Sequence, residues 1–158
     1  MPRKQSGKSG AKGRVQYLDS SALAKRYVQE EGSDRMDQIF ERAEKGEESV
    51  FFSTWNVGEL AVVFDKYERE GLLEAKPVMM TFLKEVKRLG KSKAAEVVPV
   101  SGSVIAAAIT LTFKHHVYVA DTLQVVSCQT VAGAEFVTAD RRLAGIARDE
   151  GLRATLVG

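Results

Sequence analysis

The stretch Val15-Gln-Tyr-Leu-Asp19-Ser-Ser-Ala-Leu23 decides how the chain is organised. Its first residues are largely apolar and predict a short buried strand. A helical pattern begins at Ala22, directly after an acid and two hydroxyl residues. Asp19 therefore lies where a strand gives way to a helix, which is where open α/β sheets place their functional sites. The same position also suits the N-cap of the helix, so Asp19 alone does not establish a site.

The bulk composition is that of an ordinary globular protein. The chain has 158 residues, of which 44% are hydrophobic and 28% charged, and this favours one folded domain with a real core. No apolar run reaches the roughly 18 to 20 residues of a membrane span, and the N-terminus lacks the apolar segment of a secretory signal. The single cysteine, Cys128, excludes an internal disulfide and a cysteine-based zinc cluster. We therefore expect a cytoplasmic protein without membrane association.

The charge is divided unevenly between the N-terminal residues and the rest. Residues 1–14 contain no acid and carry five bases, which are Arg3, Lys4, Lys8, Lys12 and Arg14. The 18 bases that remain are outnumbered by 21 acids, so the body is acidic although the whole chain has a net charge of +2. We expect residues 1–14 to form a basic disordered tail, either an electrostatic arm for nucleic acid or a solubilising segment. Residues 15–158 form the predicted domain.

Strand and helix patterns alternate along this domain. After the first strand, further strands are predicted at 49–53, 95–100, 134–138 and 153–157. Helical patterns lie between them, at 33–45, 56–70, 75–89, 103–114, 121–132 and 141–150. Such alternation is typical of a parallel sheet with helices on both faces. We therefore predict an α/β fold, and Pro99 favours an edge position for the third strand.

Three more acids are distinguished by their surroundings. Glu59 is the only charged residue of the window 57–64, and Asp121 is the only one of the window 117–126. Both windows predict buried helices, in which an unpaired carboxylate costs several kcal/mol or is forced neutral. Neither window contains a lysine or arginine, so pairing with a cation from elsewhere would remove this cost. Asp140, like Asp19, follows a strand and opens a helix.

Each acid also has a purely structural explanation. Asp121 with Gln124 fits a capping box, Asp140 fits an N-cap, and Glu59 fits a buried acid bonded to backbone amides. The carboxyl ends of parallel strands meet at one edge of a sheet, so Asp19 and Asp140 are close if the first and fourth strands are neighbours. One such coincidence is common, whereas four isolated acids in these positions are harder to explain as caps.

Four blocks of the sequence give a more specific indication when they are taken in order. They are Tyr17-Leu-Asp19-Ser-Ser-Ala-Leu23, Glu59-Leu, Ala120-Asp121 and Val137-Thr138-Ala-Asp140-Arg-Arg-Leu143. Their order and spacing resemble the PIN-domain ribonucleases, most closely the VapC-type toxins, over nearly the whole body of the chain. The resemblance implies a three-layer α/β/α PIN-like domain with a five-stranded parallel sheet. It also implies an endoribonuclease that depends on one or two Mg²⁺ or Mn²⁺ ions, a cognate antitoxin and a homodimer.

Carried over to this chain, the resemblance assigns a quartet of catalytic and metal-binding acids, which are Asp19, Glu59, Asp121 and Asp140. Ser21 and Thr138 are then hydroxyl neighbours that hold the carboxylates in place. The residue types agree with this assignment because hard divalent cations prefer oxygen ligands. The segment Val117-Tyr-Val119 departs from the basic or alanine-rich sequence that many relatives have before the third acid, which leaves local substrate contacts open.

Four basic residues close in sequence to Asp19 or Asp140 are predicted to contact RNA phosphates. They are Lys25, Arg26, Arg141 and Arg142. For each of them, a solvated helix face is an equally good explanation.

Other function classes fit less well. A haloacid-type phosphatase needs a second acid two residues after the first, where this chain has Ser21. A response-regulator receiver needs a phosphoacceptor after the third strand, and Val98-Pro-Val-Ser101 offers none. A non-catalytic module that binds RNA or a partner protein is the remaining alternative.

Overall fold

A computed structural model describes residues 13–158 of the chain. Its five strands are β1 (Arg14–Leu18), β2 (Glu48–Ser53), β3 (Ala95–Val98), β4 (Glu135–Thr138) and β5 (Ala154–Leu156). Its seven helices are α1 (Ser20–Ala24), α2 (Ser33–Glu44), α3 (Thr54–Arg69), α4 (Ala75–Lys91), α5 (Gly102–His115), α6 (Val119–Gln129) and α7 (Arg141–Asp149). The first twelve residues of the predicted tail lie outside the described part. Arg14 already belongs to β1, because it pairs with Glu48 of β2.

The five strands form one parallel sheet in the order β3-β2-β1-β4-β5. The central strand β1 pairs with β2 on one side and with β4 on the other, with Tyr17 opposite Phe136 and Leu18 opposite Val137. The parallel sheet, the edge position of β3 and the adjacency of the first and fourth strands are confirmed. β3 ends at Val98, two residues earlier than predicted, directly before Pro99.

Alternate residues of the strands contribute to two apolar clusters. Leu18 and Val137 belong to one cluster, whereas their chain neighbours Tyr17 and Phe136 belong to the other. Successive side chains of a strand point to opposite faces, so the two clusters lie on opposite sides of the sheet. Helices α1 to α4 pack on the first cluster and α5 to α7 on the second. The result is the predicted three-layer α/β/α arrangement.

Several helices begin earlier than the sequence pattern predicts, among them α3 and α6. α3 begins at Thr54 because Ser53, at the end of β2, caps it in a capping box with Asn56. α6 begins at Val119 after Tyr118, whose side chain makes no capping bond. Within residues 13–158, none of the helices has the length and apolar character needed to cross a bilayer.

The packing of α4 against the sheet can be tested with two leucines. Leu89 of α4 is 2% exposed, whereas Leu72, in the turn before this helix, is 64% exposed. We expect Leu89→Ala to lower the free energy of unfolding by about 2–5 kcal/mol, because it leaves a cavity. Leu72→Ala should change it by less than about 0.5 kcal/mol. Urea unfolding of both variants measures this, and equal losses would contradict the observed packing of α4.

Candidate active site

Four carboxylate side chains line one small pocket at the carboxyl-end edge of the sheet. Asp19 follows β1, Asp140 follows β4, Glu59 lies on α3 and Asp121 lies on α6. The pocket has a volume of about 100 Å³, and its other lining residues are Ser20, Ser21, Gln124 and Leu143. Within the described part of the chain, neither lysine nor arginine lines it. The fold therefore brings the predicted quartet together.

Asp19 is the most firmly held of the four acids. It is 3% exposed, and its backbone N–H donates to the carbonyl of Val137 at 3.1 Å, which ties the end of β1 to β4. Its Oδ1 accepts from the backbone N–H of Ala22 at 2.9 Å, so Asp19 is the N-cap of α1 as well as a pocket residue. The capping interpretation is thus confirmed, and it is compatible with a role of the same carboxylate in the pocket.

Two hydroxyl groups also donate to the Asp19 carboxylate and leave one lone pair of Oδ2 without a donor among the described residues. Ser21 Oγ donates to Asp19 Oδ1 at 2.7 Å, and Thr138 Oγ1 donates to Asp19 Oδ2 at 2.5 Å. Both hydroxyls also accept from the backbone that follows β4, from the N–H of Ala139 at 2.9 Å and from that of Asp140 at 3.0 Å. The two side chains therefore connect the β1 acid to the segment that carries the β4 acid.

Asp140 caps α7 from the exposed rim of the pocket. Its Oδ1 accepts from the backbone N–H of Leu143 at 3.0 Å, as the capping interpretation predicts. Since Asn also serves well as an N-cap, the amide variant should retain this bond.

Glu59 and Asp121 are half-buried, and neither is held in the way that its structural explanation predicts. Glu59 Oε1 accepts from the side-chain amide of Gln124 at 3.0 Å, and no backbone amide of the described residues donates to it. The predicted capping box of Asp121 with Gln124 is wrong. Asp121 lies inside the first turn of α6, not at its cap, because the helix begins at Val119.

The pKa values show that the acids share one electrostatic environment. Burial raises the pKa of Asp19 to about 6, against its hydrogen bonds, and the charge of Asp140 adds to the increase. Burial also raises the pKa of Glu59, opposed by the Gln124 and Ser20 side chains, and the neighbouring charge of Asp121 raises it further. The pKa of Asp121 is raised by burial and by the charge of Asp140, and lowered by Arg142. In the metal-free pocket these carboxylates therefore repel one another.

The donor set suits a hard divalent cation. It consists of carboxylate and hydroxyl oxygens, which Mg²⁺ and Mn²⁺ prefer. In residues 13–158, no three His, Cys, Asp or Glu side chains are close enough together to form a ready-made ligand set. Mg²⁺ usually keeps several waters and binds only one or two carboxylates, so a complete protein shell is not required. A bound cation would also offset the repulsion among the acids. For these reasons the pocket residues fit a Mg²⁺ or Mn²⁺ ion.

The four predicted phosphate contacts separate into two pairs. Lys25 is buried, pairs with Glu30 at 3.3 Å and donates to the carbonyl of Glu31 at 2.6 Å. Arg26 pairs with two acids, Asp37 at 2.5 Å and Glu85 at 2.8 Å, and lies over the ring of Phe40. The structure thus pairs these two side chains, which follow α1, with acids of α2, of α4 and of the segment between α1 and α2, and it does not place them in the pocket lining.

Arg141 and Arg142 are exposed in the first turn of α7, directly after Asp140. Arg142 lies near enough to lower the pKa of Asp121. Of the four predicted contacts, these two are the ones beside the pocket.

Sequence analysis did not identify the polar residues behind Glu59. Gln124 and Asn56 are buried in the core, at 3% and 0% exposure, and Gln124 connects Glu59 to Asn56 and Tyr17. The signal was present, because Gln124 is a lone amide in an otherwise apolar stretch of α6. The capping box with Asp121 gives Gln124 a local role and does not predict its bonds across the core to Asn56 and Glu59.

Comparison with known proteins finds relatives by structure only. No protein-family model matches the chain, and no curated protein matches its sequence. VapBC2 from Rickettsia felis, bound to a DNA fragment from their promoter, matches with a TM-score of 0.62 and 13% identity over 90% of this chain and 98% of that one. PAE2754 from Pyrobaculum aerophilum matches with a TM-score of 0.58 and 14% identity over 90% and 83% of the two chains. FitAcB from Neisseria gonorrhoeae matches with a TM-score of 0.56 and 13% identity over 89% and 95%. At these identities the likeness is one of fold.

Burial of the Asp19 charge predicts a pH-dependent cost to stability. The pKa of this carboxyl is about 6 in the folded protein against an ordinary value of 3.8. Folding therefore favours the protonated carboxyl. Its contribution to the free energy of unfolding is fully present below the pKa of the unfolded state and is lost as pH rises through the pKa of the folded state. Relative to Asp19→Asn, the metal-free wild type should lose roughly 2 kcal/mol of unfolding free energy between about pH 4 and pH 8.

Chemical unfolding of both proteins in EDTA at the two pH values measures this difference. Asp149→Asn, which changes an exposed acid of α7, is the matched control and should show no such trend. A pH-independent difference between wild type and Asp19→Asn would contradict the prediction.

Proposed function

Because the chain has the PIN-domain fold, we propose that it is a metal-dependent endoribonuclease that hydrolyses RNA phosphodiester bonds. The observation that carries this proposal is the convergence of four acids from four elements on one pocket, which are Asp19, Glu59, Asp121 and Asp140. As a VapC-type protein, the chain would be the toxin of a toxin–antitoxin pair.

The four acids would bind one or two Mg²⁺ or Mn²⁺ ions, which would supply Lewis-acid activation of water and neutralise charge on the phosphate. Asp19 is already oriented by three donors, so its carboxylate is preorganised for a ligand. Glu59 is fixed through one oxygen, which leaves the other for a cation or for orienting the attacking water. Asp121 already lines the pocket and accepts no hydrogen bond from the described residues, so no donor among them competes with a cation for its carboxylate.

Substrate phosphates would approach along the first turn of α7. Arg141 and Arg142 are exposed beside the acidic pocket and provide the positive charge that the pocket lining lacks. Phosphate contacts of this kind position a nucleic acid without reading its sequence.

A protein partner is supported by apolar side chains on the helix surfaces. Ile105, Ile109 and Phe113 recur at helical spacing along α5 and are 43%, 45% and 75% exposed. A second exposed group lies on α4, where Met80 and Leu83 are 52% and 42% exposed. Exposed apolar patches of this kind mark interaction sites, which suits a homodimer and a cognate antitoxin.

A non-catalytic PIN-fold module that binds RNA or a partner is the second candidate. The lack of a ready-made metal ligand set among residues 13–158 favours it. Titration of the protein with Mn²⁺ separates the two candidates, because the non-catalytic module would show no binding.

The nuclease proposal is tested by removing single carboxylate charges. We expect Asp19→Asn and Asp140→Asn to fold and to cleave RNA roughly a thousandfold more slowly, if each ligand supplies about 4 kcal/mol of transition-state stabilisation. Cleavage of total RNA is followed with Mg²⁺ and with EDTA, and the cut ends are mapped.

Asp149→Asn again serves as the control, because this exposed acid lies at the other end of α7 and should leave the cleavage rate unchanged. Cleavage by Asp19→Asn at the wild-type rate, or wild-type cleavage that persists in EDTA, would refute the proposal.

The role of Arg141 and Arg142 towards phosphate is tested by neutralising both side chains together. We expect the double glutamine variant to bind RNA more weakly at low salt, with a log–log salt slope that is smaller by about 0.7 for each phosphate that is no longer neutralised. Lys45→Gln is the control, since this exposed lysine precedes β2 at the opposite edge of the sheet. An unchanged salt slope in the double variant would remove both arginines from the substrate path.

A further inference from the structure

A continuous series of buried hydrogen bonds runs from the end of β2 to Glu59. The N–H of Ser53 donates to Asn56 Oδ1 at 2.6 Å, and Asn56 Nδ2 donates to Gln124 Oε1 at 2.9 Å. Gln124 Nε2 then donates to Glu59 Oε1 at 3.0 Å. We call the series Ser53–Asn56–Gln124 the amide relay. Its three members are buried at 0%, 0% and 3% exposure, so water does not compete for the bonds among them, whereas the last bond, from Gln124 to Glu59, is part-buried at the pocket.

The polarity of the amide relay is set by its first bond. A backbone N–H can only donate, so the Asn56 oxygen must face Ser53 and the Asn56 nitrogen must face Gln124. The Gln124 oxygen is then the acceptor, and the Gln124 nitrogen is the group that faces Glu59. Neither amide can flip without placing two donors or two acceptors against each other in a buried site. The relay therefore always presents a donor to Glu59.

Two side contacts reinforce this orientation. The Tyr17 hydroxyl donates to Gln124 Oε1 at 3.0 Å, which occupies the second lone pair of that oxygen. Asn56 Nδ2 also donates to Ser20 Oγ at 2.9 Å, which leaves the Ser20 hydrogen for the pocket that this residue lines. Gln124 Nε2 and the Ser20 hydroxyl are thus the two donors that this network presents to the acidic pocket.

We propose that Gln124 is a positioning residue that fixes Glu59 through the amide relay, so that the free carboxylate oxygen of Glu59 is held for a divalent cation. This inference rests on the proposed function, because it assumes that Glu59 is a ligand. A partner that orients a ligand in this way typically contributes 10- to 100-fold to metal affinity.

The first test measures Mn²⁺ affinity by calorimetry. Gln124→Met keeps the length of the side chain but removes the donor, and we expect it to bind Mn²⁺ about tenfold more weakly. Val126→Ala is the matched control on the same helix, because Val126 is also buried, at 5% exposure, and its side chain has no polar group. It should bind Mn²⁺ as the wild type does. Equal affinity of Gln124→Met and wild type would overturn the inference and leave the proposed function intact.

The second test needs no metal and therefore does not depend on the proposed function. Gln124→Glu keeps the acceptor for Asn56 and Tyr17 but sets a carboxylate against Glu59, so its melting temperature in EDTA should fall. Adding Glu59→Gln restores a donor–acceptor pair of reversed polarity and should recover most of the loss. Absence of this rescue would overturn the relay. Failure of the wild type to bind Mn²⁺ or to cut RNA would instead overturn the proposed function, and the role of Gln124 towards a cation with it.

Discussion

The candidate site depends on the direct pairing of β1 with β4 at the centre of a parallel sheet. Leu18 lies opposite Val137 in this pairing, and the N–H of Asp19 continues it with a bond to the Val137 carbonyl. Since the two strands end side by side, the acids that follow them, Asp19 and Asp140, lie close together. Ser21 and Thr138 then bond across the same gap, so the pairing fixes the orientation of the Asp19 carboxylate as well as its place.

The pocket concentrates like charges that the rest of the fold does not compensate. Asp19 is buried, its pKa is raised by that burial, and the charge of Asp140 raises the pKa further. Lys25 and Arg26, which stand close by in sequence, are bound to other acids instead. A fold that leaves the buried Asp19 carboxylate without a lysine or arginine in its pocket lining departs from the usual rule for buried charge. Violations of this kind are expected at functional sites, where stability is traded for chemistry.

Local sequence patterns predict the features that depend on residues close together in the chain, such as strands and helices. They do not predict side-chain contacts between residues that are far apart in the chain. The alternation of strands and helices is sufficient to predict the parallel sheet. The position of a single acid in an apolar window is sufficient to identify Glu59 and Asp121 as candidate site residues. The ion pairs of Arg26 could not be predicted, because its partners Asp37 and Glu85 lie on α2 and α4, far from Arg26 in the chain. The role of Gln124 was hidden for the same reason, since Glu59 is 65 residues away in the chain.

The two outer strands of the sheet are short, with four residues in β3 and three in β5. Pro99 follows β3 directly and has no N–H to donate, so the hydrogen-bonding edge of β3 cannot continue past Val98. Borders this brief offer few free backbone groups to another polypeptide. Fibre growth by strand addition is therefore disfavoured. Any association between copies of the molecule is expected to use the helix surfaces, where contacts can form and break without a change in the sheet.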